Sequence, residues 1–209
     1  MITHTAVYRR LVQFSAPNIF NPWADRDPLD RLERSAALRL ARLRQHFDVQ
    51  AQLLLIGEAA GYQGCHFSGI AFTSERLLLE GIAPRIDCSE RLTHRIRPWS
   101  EPSATTVWGC LHDFGIAQST VLWNAFPWHP HQPNDLYTNR RPSPAELRLG
   151  APVLKAVLRR FKGARVVAVG RIAAQLLGEL LGTEPVCIRH PSMAGASRFR
   201  SELRSLLRL

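Results

Sequence analysis

Short apolar runs alternate along this chain with stretches in which apolar residues recur every three or four positions. Gln52–Ile56, Thr120–Trp123, Arg165–Val169 and Pro185–Ile188 are the runs, and their length and branched side chains predict four strands. The periodic stretches predict helices. Over Leu29–Phe47, Leu32, Ala36, Leu40 and Leu43 share one face and arginines fill much of the rest. Thr73–Glu80 follows, with Thr73 as the expected cap, then Ala104–Phe114 closed by Gly115. Ser143 caps a helix that Pro144 begins and that ends near Phe161; Ile172–Leu181 stops at Gly182; Gly195–Leu209 closes the chain. Strands alternating with helices imply a parallel sheet covered on both faces. The expected fold is therefore α/β, a three-layer α/β/α sandwich around a four-stranded parallel sheet, in one domain spanning residues 1–209. Residues 1–28, with Pro17, Pro22 and Pro28, are expected to form an irregular arm. Two long loops are expected at 81–103 and 125–143.

Composition changes this picture in four ways. No run approaches the roughly 20 apolar residues of a membrane helix. The segment Met1–Phe20 lacks an apolar signal core, so a cytoplasmic protein is expected. Cys65, Cys88, Cys110 and Cys187 are widely spaced and form no CxxC pair, so they read as buried free thiols rather than metal or cluster ligands. The net charge is +10, which favours binding to phosphate backbones; a general arginine bias is the competing reading, since only Lys155 and Lys162 are lysines.

The candidate chemistry follows the strands. The first strand runs into Gly57-Glu58-Ala59-Ala60-Gly61-Tyr62-Gln63-Gly64 and, beyond it, Gly69 and Phe72. Glycine lets a backbone turn sharply and approach a ligand closely. The second strand ends on Trp123-Asn124-Ala125-Phe126-Pro127, and the fourth on His190-Pro191-Ser192. Open α/β sheets place ligands at the carboxyl ends of their strands, so these motifs are expected at one edge.

In this order the three motifs resemble those of the uracil-DNA glycosylase superfamily, over roughly residues 50–205. The resemblance implies a hydrolase that removes uracil from single- or double-stranded DNA after flipping the base out of the helix. It implies no cofactor or metal; no membrane partner is expected, and a monomer is the default for a protein that must engulf a duplex segment. It places Phe72 as the ring that stacks on uracil, Asn124 as the amide that reads its edge, and Gly57 and Ala59 in the uracil pocket. His190 becomes the donor to the base carbonyl as negative charge builds there. Ser192 and Arg189 fall where phosphate is met, with Arg198 a further basic contact, and Met193 or Ala194 where a wedge fills the vacated stack; Met193 is the better fit, because alanine is short.

The chain also departs from the family. Ala59 stands where aspartate or asparagine positions water, leaving backbone carbonyls or Glu58 for that task; Glu58 reads equally well as a structural ligand of loop amides. Ala60 replaces proline and loosens the loop. Gly61, beside Tyr62, replaces the tyrosine that excludes thymine. The four loop cysteines of the iron–sulfur branches are absent, and His129, His131, Arg140 and Arg141 lack the order found in the covalently trapping branch; those histidines read as a solvated loop. Two rival readings stay open: a uracil or damaged-DNA binder with little turnover, and a glycosylase for hypoxanthine or mismatched thymine.

Overall fold

The computed structural model describes residues 4–88 and 90–208. Its order is α1 (His4–Gln13), β1 (Ile19–Phe20), α2 (Ser35–Phe47), β2 (Leu53–Ala59), α3 (Cys65–Ser68), α4 (Glu75–Leu79) and α5 (Pro102–Asp113). There follow β3 (Thr120–Phe126), β4 (His129–Pro130), α6 (Pro144–Arg160), β5 (Arg165–Val169), α7 (Arg171–Leu181), β6 (Val186–Ile188) and α8 (Ala196–Leu207). The main sheet is parallel and runs β3-β2-β5-β6. Alternate residues of its strands enter opposite cores. Leu54, Ile56, Val121 and Trp123 pack with α1, α2, α6 and α7, whereas Leu53, Leu55, Leu122 and Val167 pack with α4, α5 and α8. Both faces are covered, which is why the strands read as continuous apolar runs. The expected three-layer sandwich is the observed fold.

Several boundaries differ. The arm at 1–28 is not irregular: α1 occupies His4–Gln13, with Leu11 fully buried, and β1 pairs antiparallel with β4. The first three residues of that stretch, like Leu209 of the last helix, lie outside the described residues. The α1 stripe was too short to read, and its end is closed from a distance. Asn21 Nδ2 donates to the carbonyls of Leu11 (2.7 Å) and Phe14 (2.9 Å). β4 also breaks the loop expected at 125–143, and β3 extends through Asn124 to Phe126.

α2 starts at Ser35 rather than Leu29, and of the face expected to be buried only Leu43 is fully so. Arg39 and Arg42 are buried, while Ala36 and Leu40 are only half-buried. Arg39 grips both oxygens of Asp30 (2.7 and 3.0 Å) and the carbonyls of Pro22 and Asp25. A buried guanidinium satisfied on every side can replace apolar packing. Thr73 is not the cap of α4: Ser74 holds that position, and the Thr73 hydroxyl instead donates to Ala71 and accepts from Trp108 Nε1. Ser143 does cap α6, in a reciprocal box with Glu146. All four cysteines are free; Cys65 and Cys110 are buried as expected, but Cys88 is half-buried and Cys187 exposed. Among the described residues no helix is long and apolar enough to cross a membrane.

Candidate active site

β2 and β3 are paired so that Gly57 lies beside Asn124, at the carboxyl ends of the two strands. Gly57 is glycine for a steric reason. A Cβ there would come within 2.5 Å of the Phe72 ring and 2.7 Å of the Asn124 amide, so the bare backbone forms a floor between the two. Phe72 is buried and held at φ +49°, a conformation non-glycine residues rarely adopt. The turns around it impose this. Ser68 Oγ bonds both backbone groups of Ile70, and Thr73 Oγ1, itself held by Trp108, takes Ala71 O. Backbone strain of this kind persists where surrounding structure over-determines it, and it concentrates at functional sites.

The amide of Asn124 is buried, and its orientation follows from its neighbours. Its oxygen accepts the Ala60 N–H (3.2 Å) and its nitrogen donates to Trp123 O (3.3 Å). One lone pair and one N–H remain to meet a ligand. Proline at position 60 would have no N–H to give, so Ala60 contributes a donor that the sequence reading counted only as lost stiffness.

His190 follows β6 and packs over Gly170, its ring 5.7 Å from that of Phe72 and tilted by 38°. Its Nδ1 accepts the backbone N–H of Ser192 (3.1 Å) and lies 2.8 Å from Ser192 Oγ. A neutral imidazole with Nδ1 accepting carries its proton on Nε2. Burial, and then the charge of Arg189, push its pKa down to about 4, so the ring is a neutral donor at physiological pH. Gly195 closes this loop where any Cβ would strike His190 O.

Phe72, Asn124 and His190 therefore line one cleft of about 50 Å³, together with Glu58, Ala59, Gly61, Cys65 and Glu101. Larger surface hollows, about 700 Å³ beside α7 and β6 and about 570 Å³ at the opposite strand ends, have no comparable set of ring, amide and imidazole. Glu58 sits at the cleft rim with Arg141 Nε 3.8 Å away. Burial raises its pKa, and Arg141 opposes the rise. Tyr62 does not line the cleft; its ring meets Trp99 edge-on (5.4 Å). Met193 is exposed, and with Ala194 it adopts a left-handed backbone (φ +52° and +59°) that lifts the loop tip from the surface. Ser192 is exposed, and its hydroxyl lies 2.8 Å from His190 Nδ1. Arg189 N and Arg198 Nε both donate to Glu202, at 2.5 and 2.6 Å, so α8 organises this basic edge.

Two features escaped sequence reading. The first is Glu101, which the chain brings to the cleft from the N-terminus of α5. Its only signal was a glutamate at a cap position that favours shorter side chains. The second is a buried chain behind α3. His129 is fully buried, not solvated, and its Nε2 donates to Thr138 O (2.8 Å). Its Nδ1 must then accept from His66 Nδ1 (2.9 Å), leaving His66 Nε2 to accept from Asp27 Oδ2 (2.8 Å). With both imidazoles neutral, these directions put a proton on Asp27. Burial raises the pKa of that carboxyl and lowers both imidazoles, in agreement. Among the described residues no group of three or more His, Cys, Asp or Glu side chains is arranged to hold a metal ion.

A family model described as the uracil DNA glycosylase superfamily matches residues 44–208. Among solved structures, wild-type SMUG2 of Pedobacter heparinus superposes with a TM-score of 0.64 and 16% identity, over 97% of this chain and 95% of that one. No curated protein sequence matches the chain.

Proposed function

Since the chain belongs to the uracil DNA glycosylase superfamily, a family of enzymes that act on DNA, we infer that it hydrolyses the N-glycosidic bond of uracil in DNA and leaves an abasic site. The observation that carries the reading is the convergence of the Phe72 ring, the Asn124 amide and the His190 imidazole on one cleft. Uracil leaves the helix, because its glycosidic bond is unreachable inside the stack. Its face stacks on Phe72. The free lone pair and N–H of Asn124 meet the donor and acceptor along its edge. As the C1′–N1 bond breaks, its electron pair passes to the base, and the Nε2–H of His190 holds the carbonyl where that charge collects. The Glu58 carboxylate offsets the cation-like sugar. Ser192 bonds to His190 Nδ1 and in this reading also meets a phosphate, with Arg189 and Arg198 nearby and Met193 filling the vacated stack.

Both lysines lie outside the cleft lining, so among the described residues no amine stands ready to form an imine with the sugar, and water is the acceptor. The protein acts as a monofunctional, monomeric glycosylase in the cytoplasm. The test is a uracil-containing oligonucleotide, single- and double-stranded, incubated with the protein and treated with hot alkali. Strand cleavage is expected, with Asn124→Ala and His190→Ala each slowing release by about 100-fold or more while DNA retention persists. Retarded but intact DNA would instead mark a binder. Cleavage only at hypoxanthine or at a mismatched thymine would reassign the base, a relevant arm because Gly61 stands where the resemblance expects the tyrosine that excludes thymine.

A further inference from the structure

The Ala59 side chain gives the attacking water nothing to bond, and the cleft holds two carboxylates, Glu58 and Glu101. We propose that Glu101 is the general base that orients this water and takes its proton. The inference rests on the glycosylase reading above.

The placement of Glu101 is unusual for a helix cap. It is the N-cap residue of α5, yet its side chain makes no bond to the exposed N–H groups of that helix. It turns instead into the cleft shared by Phe72, Asn124 and His190. The space it occupies exists because residue 64 is glycine: a Cβ on Gly64 would collide with Oε2 of Glu101. Among the described residues, no hydrogen bond or salt bridge engages the carboxyl. A carboxyl turned inward without a protein partner is positioned for a water or a ligand. Glu58 lines the same cleft but has a charged partner, with Arg141 Nε 3.8 Å away.

Burial raises the pKa of Glu101 to about 7, the range in which a carboxylate is both partly ionised and a useful base. The groups that share its cleft are the Cys65 thiol, held protonated by burial and by Glu101 itself, the Glu58 carboxyl and the neutral His190. In the reaction the C1′–N1 bond breaks and its electron pair leaves on uracil. The water oxygen bonds to C1′, the water proton passes to Glu101 and then to solvent, and the uracil anion is protonated from solvent.

The test is single-turnover base release from uracil-DNA between pH 5 and 9, alongside melting temperatures. The wild-type rate should rise with pH, reach half its maximum near 7 and level off above it. Glu101→Gln should lower the plateau at least ~100-fold and abolish the rise, whereas Glu58→Gln should keep the rise whatever its rate. If Glu101→Gln melts early, Glu101→Asp decides: a slower reaction with the rise intact supports the assignment, and a flat profile overturns it. A Glu101→Gln protein within threefold of wild type, with its pH profile unchanged, overturns the role of Glu101 while leaving the glycosylase reading standing. A wild-type protein that releases no base from any substrate overturns both.

Discussion

At the scale of residues, hydrogen-bond direction decides more than residue type. His190 acts as a neutral donor because Ser192 N–H fixes the acceptor on Nδ1. The same reasoning puts a proton on Asp27, which takes Leu29 N–H and the Tyr137 hydroxyl on Oδ1 and faces His66 through Oδ2. Asparagine has an acceptor and a donor in those two places. Asp27→Asn should therefore shift unfolding free energy by less than about 1 kcal/mol, whereas Asp27→Ala, which leaves buried partners unpaired, should cost about 1–3 kcal/mol. Denaturant titration of both variants checks this; equal losses would mean that Asp27 is ionised and His66 carries the proton. The buried chain was invisible in the sequence because Asp27, His66 and His129 are far apart along it, and nothing in their spacing signals contact.

At the scale of elements, the edge strand β3 shows how an amphipathic helix can do more than pack. β3 pairs with β2 on one side only. On its other side His46 of α2 accepts the Leu122 N–H (2.9 Å), and Arg85 donates to the carbonyls of Ala117, Gln118 and Thr120. Side chains thus close an edge that would otherwise invite another strand. Burial, and then the charge of Arg85, push the His46 pKa down to about 3. In the unfolded chain it titrates near 6.5. Between these values the unfolded state binds the extra proton, so this contribution to stability is intact above pH ~6.5 and shrinks by up to ~1.4 kcal/mol per unit as pH falls toward 3. His46→Gln keeps an acceptor that does not titrate. Its melting temperature should fall less than that of wild type between pH 7 and pH 5, and parallel curves would exclude His46 as the cause.

At the scale of the whole molecule, 27 basic residues against 17 acidic ones give a surface suited to DNA. Much of that charge is internally committed: Arg39 is buried on Asp30, Arg140 pairs with Glu146, and Arg198 with Glu202. Arg141 at the cleft rim, 3.8 Å from Glu58, and Arg189 beside His190, which forms no ion pair among the described residues, are exposed and less tightly paired than Arg198, which makes them the better candidates for phosphate. DNA affinity should fall steeply with salt, log K against log[salt] being linear. Arg141→Ala and Arg189→Ala should each flatten that slope by about one. Binding titrations at several salt concentrations measure this, and unchanged slopes would place the DNA elsewhere.

The sequence by itself determined the strand and helix alternation, hence the layers, and it placed Gly57, Asn124 and His190 toward the carboxyl ends of their strands. Local periodicity and chain order suffice for that, because a parallel sheet puts the ends of its strands on one edge. What only the tertiary structure decided comes from contacts between distant segments. Glu101 reaches the cleft across Gly64, Arg39 is buried where leucines were expected, and α1 ends on the amide of Asn21. Burial sets the protonation of Glu101, His46 and His190, and burial belongs to the assembled fold rather than to any stretch of the chain.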